Sequence, residues 1–302
     1  MAAVLERFSP ATREWFAGAF PQATAAQLGA WDAISTGAHA LVVAPTGSGK
    51  TLAAFLWAID RLTTEPRPEE PTTRVLYISP LKALGVDVER NLRAPLVGVT
   101  QTAARLGGVA PSVTVGVRSG DTTTQDRRML ARTPPDILIT TPESLFLMLT
   151  SAARETLLGV DTIIIDEIHA VAATKRGSHL ALSLERLDAM LPKRAQRIGL
   201  SATVRPIEEV ARFLAGSAPV TIVQPPSQKT FDLRVVVPVD DMTELESTAV
   251  LEGSSAGNAP QGSIWPHVEE GIVDLILEHR STIVFANSRR LAERLTARLN
   301  EI

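Results

Sequence analysis

Short apolar runs alternate with longer stretches of helical character as far as residue 201. The runs are apolar throughout rather than at every second position, which is typical of strands buried on both faces of a parallel sheet. Six runs share this character: ALVVA (40–44), RVLYIS (74–79), VTVGV (113–117), DILIT (136–140), TIIID (162–166) and RIGLS (197–201). The alternation predicts an α/β fold with a central parallel sheet, flanking helices and right-handed crossovers.

The character of the sequence changes after residue 215, where APVTIVQPPSQ brings prolines and polar residues. This change predicts one domain over 1–225 and the beginning of a second over 226–302. Within the second, FDLRVVVPV and STIVFAN predict two strands, and HVEEGIVDLILEHR and SRRLAERLTARLNEI predict two helices. The stretch 240–263, rich in Gly, Ser and acid, predicts a mobile loop. So small a second unit would have open sheet edges, and we therefore expect the chain to be a piece of a longer protein.

Composition excludes several classes of protein. The 302 residues contain no cysteine, so disulfides and thiolate metal sites are excluded. No apolar run approaches the roughly 18 residues needed to cross a bilayer, and the N-terminus lacks a signal-peptide pattern, so we expect a soluble, cytoplasmic protein that does not contact membranes. The formal net charge is −3, so any nucleic-acid surface must be local.

A glycine-rich loop, APTGSGKT (44–51), follows the first strong strand and leads directly into a helix. Backbone N–H groups of Thr46, Gly47, Ser48 and Gly49, together with the helix N-terminus, can surround phosphate oxygens. Lys50 would place a point charge on the β- and γ-phosphates, and Thr51 would ligate Mg²⁺. The alternative, a glycine-rich turn with a solvated lysine, does not account for the strand–loop–helix context.

Two carboxylates follow the apolar strand in TIIIDEIH (162–169). At the carboxyl edge of a parallel sheet, Asp166 would face the phosphates and hold Mg²⁺ through water. Glu167 is placed to orient or deprotonate the attacking water. His169 could hydrogen-bond toward the turn that contains Ser201 and Thr203. An acidic pair that merely starts a helix is the alternative, and the upstream phosphate loop disfavours it.

These motifs together resemble a superfamily 2 helicase of the DExH class. APTGSGKT resembles motif I, DEIH motif II and SAT (201–203) motif III, while SPLKAL (79–84), TTPESL (140–145) and FANSRRLAERL (285–295) are similar to motifs Ia, Ib and IV. Thr24 and Gln27, in PQATAAQ, resemble the motif that contacts adenine. The residues of these motifs, together with VRSGDTTTQDRR (117–128), are most similar to those of the large helicase-related (Lhr) group.

The resemblance implies a RecA-like P-loop domain, the start of a second RecA-like domain, and ATP-driven movement on single-stranded DNA or RNA, or on a duplex with a single-stranded tail. It also suggests a role in DNA repair. The family's arginine motifs V and VI have no counterpart in this sequence, which lacks a Q-x-x-G-R-x-x-R segment. We therefore expect the chain to bind ATP with Mg²⁺, to hydrolyse it poorly and to unwind nothing alone.

Phosphate-backbone contacts of the nucleic acid are expected at residues after several strands and in motif IV: Lys82, Arg118, Gly120, Thr141, Ser288 and Arg289. Each has an alternative. Lys82 could be a solvated turn lysine, and Arg118 could pair with Asp121. Thr141 could act as a helix N-cap, a role compatible with phosphate contact, and Arg289 could lie on the wet face of a helix.

Two other functions remain open at this point. The first is an ATP-responsive nucleic-acid-binding module without turnover, which the missing arginine motifs favour. The second is an unrelated P-loop enzyme, such as a small-molecule kinase or a transporter ATPase. The DEIH and SAT motifs disfavour that enzyme, as does the lack of an LSGGQ-like segment. A kinase would respond to a phosphoacceptor, whereas a motor would respond to an oligonucleotide.

Overall fold

The central sheet is parallel, as the apolar runs predict. The computed structural model describes residues 2–108, 112–202, 204–226, 232–238 and 264–302. In that part of the chain, seven strands form one sheet: β1 His39–Val43, β2 Val75–Ile78, β3 Val115–Arg118, β4 Ile137–Thr140, β5 Thr162–Ile165, β6 Gln196–Ser201 and β7 Val220–Val223. Their order across the sheet is β3-β4-β2-β5-β6-β1-β7, and every neighbouring pair is parallel.

Both faces of the sheet are covered over its inner strands, which explains why β1, β2, β4 and β5 are almost entirely apolar. In β1, Ala40 and Val42 join one buried cluster, whereas Leu41 and Val43 join the cluster on the opposite face. Successive side chains of a strand point to opposite faces, so a strand covered on both sides needs apolar residues at every position.

Helices cover both faces of this sheet. Those of the first unit are α1 Ala2–Leu5, α2 Pro10–Ala19, α3 Ala25–Ile34, α4 Lys50–Thr64, α5 Lys82–Arg105, α6 Thr124–Arg132, α7 Pro142–Leu149, α8 His169–Ala172, α9 Lys175–Asp188 and α10 Ile207–Ala215, with a 3₁₀ helix at Ala152–Leu157. No helix in the described ranges is long and apolar enough to span a bilayer. The predicted α/β architecture is confirmed.

Strand β7 was not predicted from the sequence. It pairs with β1 at the edge of the sheet, and Thr221 and Ile222 in its centre are exposed. Pro219 precedes it and Pro225 follows closely. Edge strands tolerate flanking prolines and exposed positions. A central strand is recognised by an apolar run that is buried throughout and free of nearby proline, and β7 has neither property.

The chain divides into two compact units, Met1–Gln228 and Lys229–Ile302. The second unit contains α11 Trp265–Glu278 and α12 Arg289–Leu299, which match the two predicted helices. The Arg294 guanidinium lies 5.0 Å from the Trp265 ring centroid, and Nε of Arg298 lies 3.4 Å from Oε2 of Glu269. The assignment of this unit to the start of a second RecA-like domain stays a prediction.

The two strands predicted in the second unit are wrong in the described residues. Residues 232–238 and 281–287 are assigned to no strand. Val235 is 100% exposed and Phe285 is 90% exposed. A strand requires a hydrogen-bonded neighbour, and an apolar sequence without one stays unpaired. The stretch predicted as a mobile loop, 240–263, lies outside the described residues.

Candidate nucleotide site and nucleic-acid interface

The glycine-rich loop joins the carboxyl end of β1 to the first turn of α4. Gly47 and Gly49 have φ angles of 82° and 78°, in the left-handed region that glycine adopts without a steric cost. Gly49 is the N-cap of α4 and has no side chain to satisfy the helix N–H groups. Those N–H groups, with the positive end of the helix dipole, form a site suited to an anion.

The loop residues have the environment that a phosphate ligand requires. Lys50, the first residue of α4, is only 6% exposed. The hydroxyl oxygen of Ser48 is buried and has no hydrogen-bond partner among the described residues. A buried polar atom without a hydrogen-bond partner is unfavourable, so a bound triphosphate would supply the hydrogen-bond partner that the Ser48 hydroxyl lacks. Thr46, Gly47, Ser48, Gly49, Lys50 and Thr51 thus form one continuous cradle.

Thr24 and Gln27 form a capping box at the start of α3. The Thr24 N–H donates to Oε1 of Gln27 at 2.9 Å, and the Gln27 N–H donates to Oγ1 of Thr24 at 3.2 Å. The Thr24 hydroxyl also donates to the Ser48 carbonyl at 2.7 Å. Gln27 is buried beside Gly49, where an added Cβ would lie 2.5 Å from its Nε2. The residues expected at the adenine are therefore in direct contact with the phosphate loop.

Asp166 follows β5 and is 5% exposed. Its Oδ2 accepts a hydrogen bond from the Tyr77 hydroxyl, and its Oδ1 accepts one from the Glu167 N–H at 2.9 Å. Burial and then the negative charge of Asp166 raise the pKa of Tyr77 far above its usual value, so its hydroxyl stays protonated and donates. Glu167 has a φ of 44°, in the left-handed region where non-glycine residues are rare and cluster at functional sites.

His169 connects the acidic pair to the end of β6. Its Nδ1 lies 3.1 Å from Oγ of Ser201 and 3.4 Å from Oε2 of Glu167. The Ala44 N–H, at the start of the phosphate loop, donates to the Ser201 carbonyl at 3.1 Å. These contacts bring Glu167, His169 and Ser201 together beside the cradle. Thr203 lies outside the described residues.

The residues present fit a magnesium site that is completed by water and phosphate. The described residues contain no group of three or more His, Asp or Glu side chains that could enclose a metal ion. Mg²⁺ in nucleotide sites is bound by one or two protein oxygens and otherwise by water and phosphate, so a full protein cage is not required. Asp166 and Thr51 are the residues that would hold it.

The candidate nucleic-acid interface lies at the carboxyl ends of β2, β3 and β4. Lys82 begins α5, and its side chain is outside the described positions. Arg118 ends β3, where burial and the nearby charge of Arg127 lower its pKa. Arg127 donates to the Gly120 carbonyl at 2.9 Å. The Arg127 guanidinium therefore lies against the loop that follows Arg118, and a phosphate bound at this loop would be stabilised by positive charge.

Thr141 adopts the N-cap role that was one of its two expected roles. It is buried, and its hydroxyl accepts from the Ser144 N–H at 3.4 Å and lies 3.1 Å from the Ser144 hydroxyl. Its hydroxyl is thus engaged within α7, so a phosphate would meet the N–H groups of the helix start rather than this side chain.

An ion pair that sequence reasoning missed joins motifs Ia and Ib. Arg176, on α9, donates to Oε2 of Glu143 at 2.9 Å and to the Pro80 carbonyl at 2.6 Å. The Arg176 hydrogen bond lowers the pKa of Glu143 to about 2. The partners are 33 and 96 residues apart in sequence, so no local pattern could have identified the contact.

Ser288 and Arg289 belong to the second unit. Ser288 is the N-cap of α12 and accepts from the Leu291 N–H at 3.2 Å. The Arg289 side chain is 92% exposed and its Nε lies 2.9 Å from Oε1 of Glu293, one helical turn away. This is the exposed helical face that was the alternative for Arg289, and its role with nucleic acid stays a prediction.

Comparison with known proteins places these features in a family. The DEAD/DEAH box helicase family matches residues 24–211. The Lhr helicase/probable uracil glycosylase of Mycolicibacterium smegmatis is 67% identical over 99% of this chain and 19% of its own length. The Lhr helicase/uracil glycosylase of Escherichia coli is 59% identical over 98% of this chain and 20% of its own length. The chain therefore spans only about a fifth of the length of these curated relatives.

Solved structures agree with this placement. The structure of Mycobacterium smegmatis helicase Lhr bound to ssDNA and AMP-PNP has a TM-score of 0.82 and 66% identity, and covers 99% of this chain and 36% of that one. Mss116p, bound to ssRNA and AMP-PNP, shares the fold alone, with a TM-score of 0.61, 16% identity, and coverage of 72% of this chain and 42% of that one. The resemblance to Lhr helicases found in the motifs is confirmed. Because the family match extends over more than half of its residues, the chain belongs to the DEAD/DEAH box helicase family.

Proposed function

We propose that this chain is the ATP-binding part of a nucleic-acid motor. The observation that carries the proposal is the convergence of three segments at one edge of the sheet: the loop 44–51, the acidic pair Asp166-Glu167 and the end of β6 at Ser201. They are joined by the Ala44–Ser201 and His169–Ser201 contacts. A phosphate cradle beside two carboxylates is the arrangement that phosphoryl transfer from a nucleoside triphosphate requires.

Each residue of the site has a distinct task in this proposal. Lys50 and the N–H groups of the cradle bind the β- and γ-phosphates, and Thr51 and Asp166 hold the metal. Mg²⁺, when bound, would neutralise charge that develops on the transferred phosphoryl group. Glu167 orients the attacking water and accepts its proton, while His169 links Glu167 to Ser201 within one network. Thr24 and Gln27 would contact the adenine.

Single-stranded nucleic acid is the proposed track, bound along the ends of β2, β3 and β4. The support is the pair Arg118 and Arg127, the helix starts at Lys82 and Thr141, and the ion pair that joins the two motifs. A related Lhr helicase binds ssDNA together with AMP-PNP, which favours simultaneous occupation of both sites here. Contacts to the phosphate backbone position a strand without selecting its sequence, as a motor requires.

We further propose that this chain alone hydrolyses ATP slowly. No Q-x-x-G-R-x-x-R segment occurs in its 302 residues, and arginines of that kind accelerate related phosphoryl transfers by about 10³–10⁵-fold. Strand displacement would belong to a longer protein. The second candidate function, an ATP-responsive nucleic-acid-binding module, rests on this same observation and predicts binding with no turnover at all.

The test combines binding and turnover. Binding of a fluorescent ATP analogue and steady-state hydrolysis are measured with and without a single-stranded oligonucleotide. We expect Mg²⁺-dependent binding and slow hydrolysis that the oligonucleotide stimulates. Binding without any hydrolysis would favour the module, and no binding would refute the nucleotide site.

Glu167→Gln should retain nucleotide binding and reduce the residual hydrolysis by at least about 10²-fold, because it removes the proton acceptor. Glu155→Gln is the matched control, since Glu155 lies in the 3₁₀ helix that precedes β5. Parental hydrolysis by Glu167→Gln would exclude Glu167 from the chemistry.

A further inference from the structure

Tyr77 is the only tyrosine in the chain, and its side chain is fully buried in β2. Its ring packs against Phe55 of α4, with centroids 5.0 Å apart and planes inclined by 30°. Strand β2 pairs with β5, which leads to Asp166. Tyr77 therefore lies between the helix that follows the phosphate loop and the strand that presents the acidic pair.

The Tyr77 hydroxyl donates to Oδ2 of Asp166, while the Glu167 N–H donates to Oδ1. A carboxylate has about four directions in which its oxygens accept hydrogen bonds. One donor at each oxygen fixes both the plane of the carboxylate and its rotation, and the described residues leave one accepting direction free at each oxygen. Removing the tyrosine hydroxyl would leave Oδ2 without its donor. The carboxylate could then rotate while keeping its one remaining hydrogen bond, from the Glu167 N–H to Oδ1.

We propose that Tyr77 is a positioning residue for the metal site: its hydroxyl holds the Asp166 carboxylate in the orientation in which the free accepting directions meet magnesium-bound water. The inference rests on the proposed nucleotide and magnesium site. Groups that hydrogen-bond to metal ligands orient them, and replacing such groups lowers metal affinity by about 10- to 100-fold. A tyrosine that served only to fill the core would be replaceable by phenylalanine without any effect on magnesium.

The first test is a magnesium titration with Tyr77→Phe, which keeps the ring and its contact with Phe55. Binding of a fluorescent AMP-PNP analogue to the 302-residue chain is measured against Mg²⁺ concentration and, separately, in EDTA. We expect the half-saturating Mg²⁺ concentration to rise by about 10- to 100-fold, with unchanged affinity in EDTA. Thr73→Val is the matched control, because it removes a buried hydroxyl that has no partner among the described residues.

The second test uses the wild-type chain and so does not depend on how the variant folds. Tyrosine labelled with ¹³C at Cζ gives one resonance, since the chain has one tyrosine. That resonance should shift when Mg²⁺ is added to the nucleotide-bound protein, because the hydrogen bond to Asp166 changes as the carboxylate meets the hydrated ion.

The outcomes separate this inference from the proposed function. If the wild type binds nucleotide with Mg²⁺ and Tyr77→Phe has the same magnesium dependence, the inference is overturned and the nucleotide site stands. A tyrosine resonance that stays fixed while Mg²⁺ strengthens nucleotide binding overturns it equally. If the wild type shows no magnesium-dependent nucleotide binding, the proposed function fails and this inference fails with it.

Discussion

Alanine substitutions at two neighbouring glycines should have unequal effects on stability. Gly47 and Gly49 have nearly equal φ angles of 82° and 78°, so alanine at either costs about 1–2 kcal/mol for the left-handed backbone. A Cβ on Gly47 would meet nothing within 4 Å, whereas one on Gly49 would lie 2.5 Å from Nε2 of Gln27. Gln27 is 4% exposed and its Oε1 is bonded to the Thr24 N–H, so moving it breaks the capping box, at a cost of about 1 kcal/mol.

The expected free energies of unfolding follow from these contributions. The free energy of unfolding should fall by about 1–2 kcal/mol in Gly47→Ala and by about 2–3 kcal/mol in Gly49→Ala, relative to the wild type. Gln27→Ala alone should lose about 1 kcal/mol. The double variant Gln27→Ala/Gly49→Ala should be no less stable than Gly49→Ala, since the capping box is already broken in that single variant. The coupling between the two positions is then about 1 kcal/mol.

Urea unfolding followed by tryptophan fluorescence measures these differences. Trp31 is suited to it, because it is fully buried on α3 and its Nε1 donates to the Ala53 carbonyl on α4 at 3.0 Å. Four tryptophans contribute to the emission, and the contribution of Trp31 reports on α3, which carries Gln27, and on α4, which follows the glycine-rich loop. Equal losses for Gly47→Ala and Gly49→Ala, or additive losses in the double variant, would refute the contact between Gln27 and the phosphate loop.

Three further substitutions test the site and the interface. Lys50→Ala should weaken triphosphate binding by at least about 10-fold, measured by fluorescent-nucleotide titration, with little change in melting temperature; equal affinity would contradict the cradle. Arg176→Ala should lower stability by less than about 1 kcal/mol, since its pair with Glu143 is partly exposed. The ion pair depresses the folded-state pKa of Glu143 to about 2, so the stability lost in Arg176→Ala should be fully present above the ordinary glutamate pKa of 4.5. The loss should vanish as the pH falls toward 2, which urea titrations at a series of pH values measure. Arg118→Ala should weaken oligonucleotide binding and reduce the salt dependence by about one counterion, whereas exposed Arg93→Ala on α5 should change neither in fluorescence anisotropy.

The features that follow from local sequence could be predicted. Apolar runs identify strands β1 to β6, and the positions of the glycine-rich loop after β1 and of Asp166 after β5 follow from their motifs. Strand β7 was missed because it lies at an edge beside prolines. The prediction of strands at 232–238 and 281–287 was wrong because an apolar run does not show whether a neighbouring strand is available to pair with it.

His169 and Ser201, 32 residues apart, were expected to meet and do, but two other contacts between distant residues could not be predicted. Tyr77 and Asp166 are 89 residues apart in sequence, and Arg176 is 96 residues from Pro80. Tyr77 reads in sequence as one apolar position of a buried strand, and Arg176 as a charged residue at a helix start. Only the order of the strands brings each to its partner, and that order is not encoded in any single segment.

The order of the strands also divides the carboxyl edge of the sheet into two groups of three strands. Strands β3, β4 and β2 carry the proposed nucleic-acid contacts, and β5, β6 and β1 carry the proposed nucleotide contacts. Within the sheet, the β2–β5 pair joins the two groups through four registered residue pairs. A substitution within either group of strands is therefore expected to affect one proposed ligand, the nucleic acid or the nucleotide, more than the other. A substitution in the β2–β5 pair is expected to affect both.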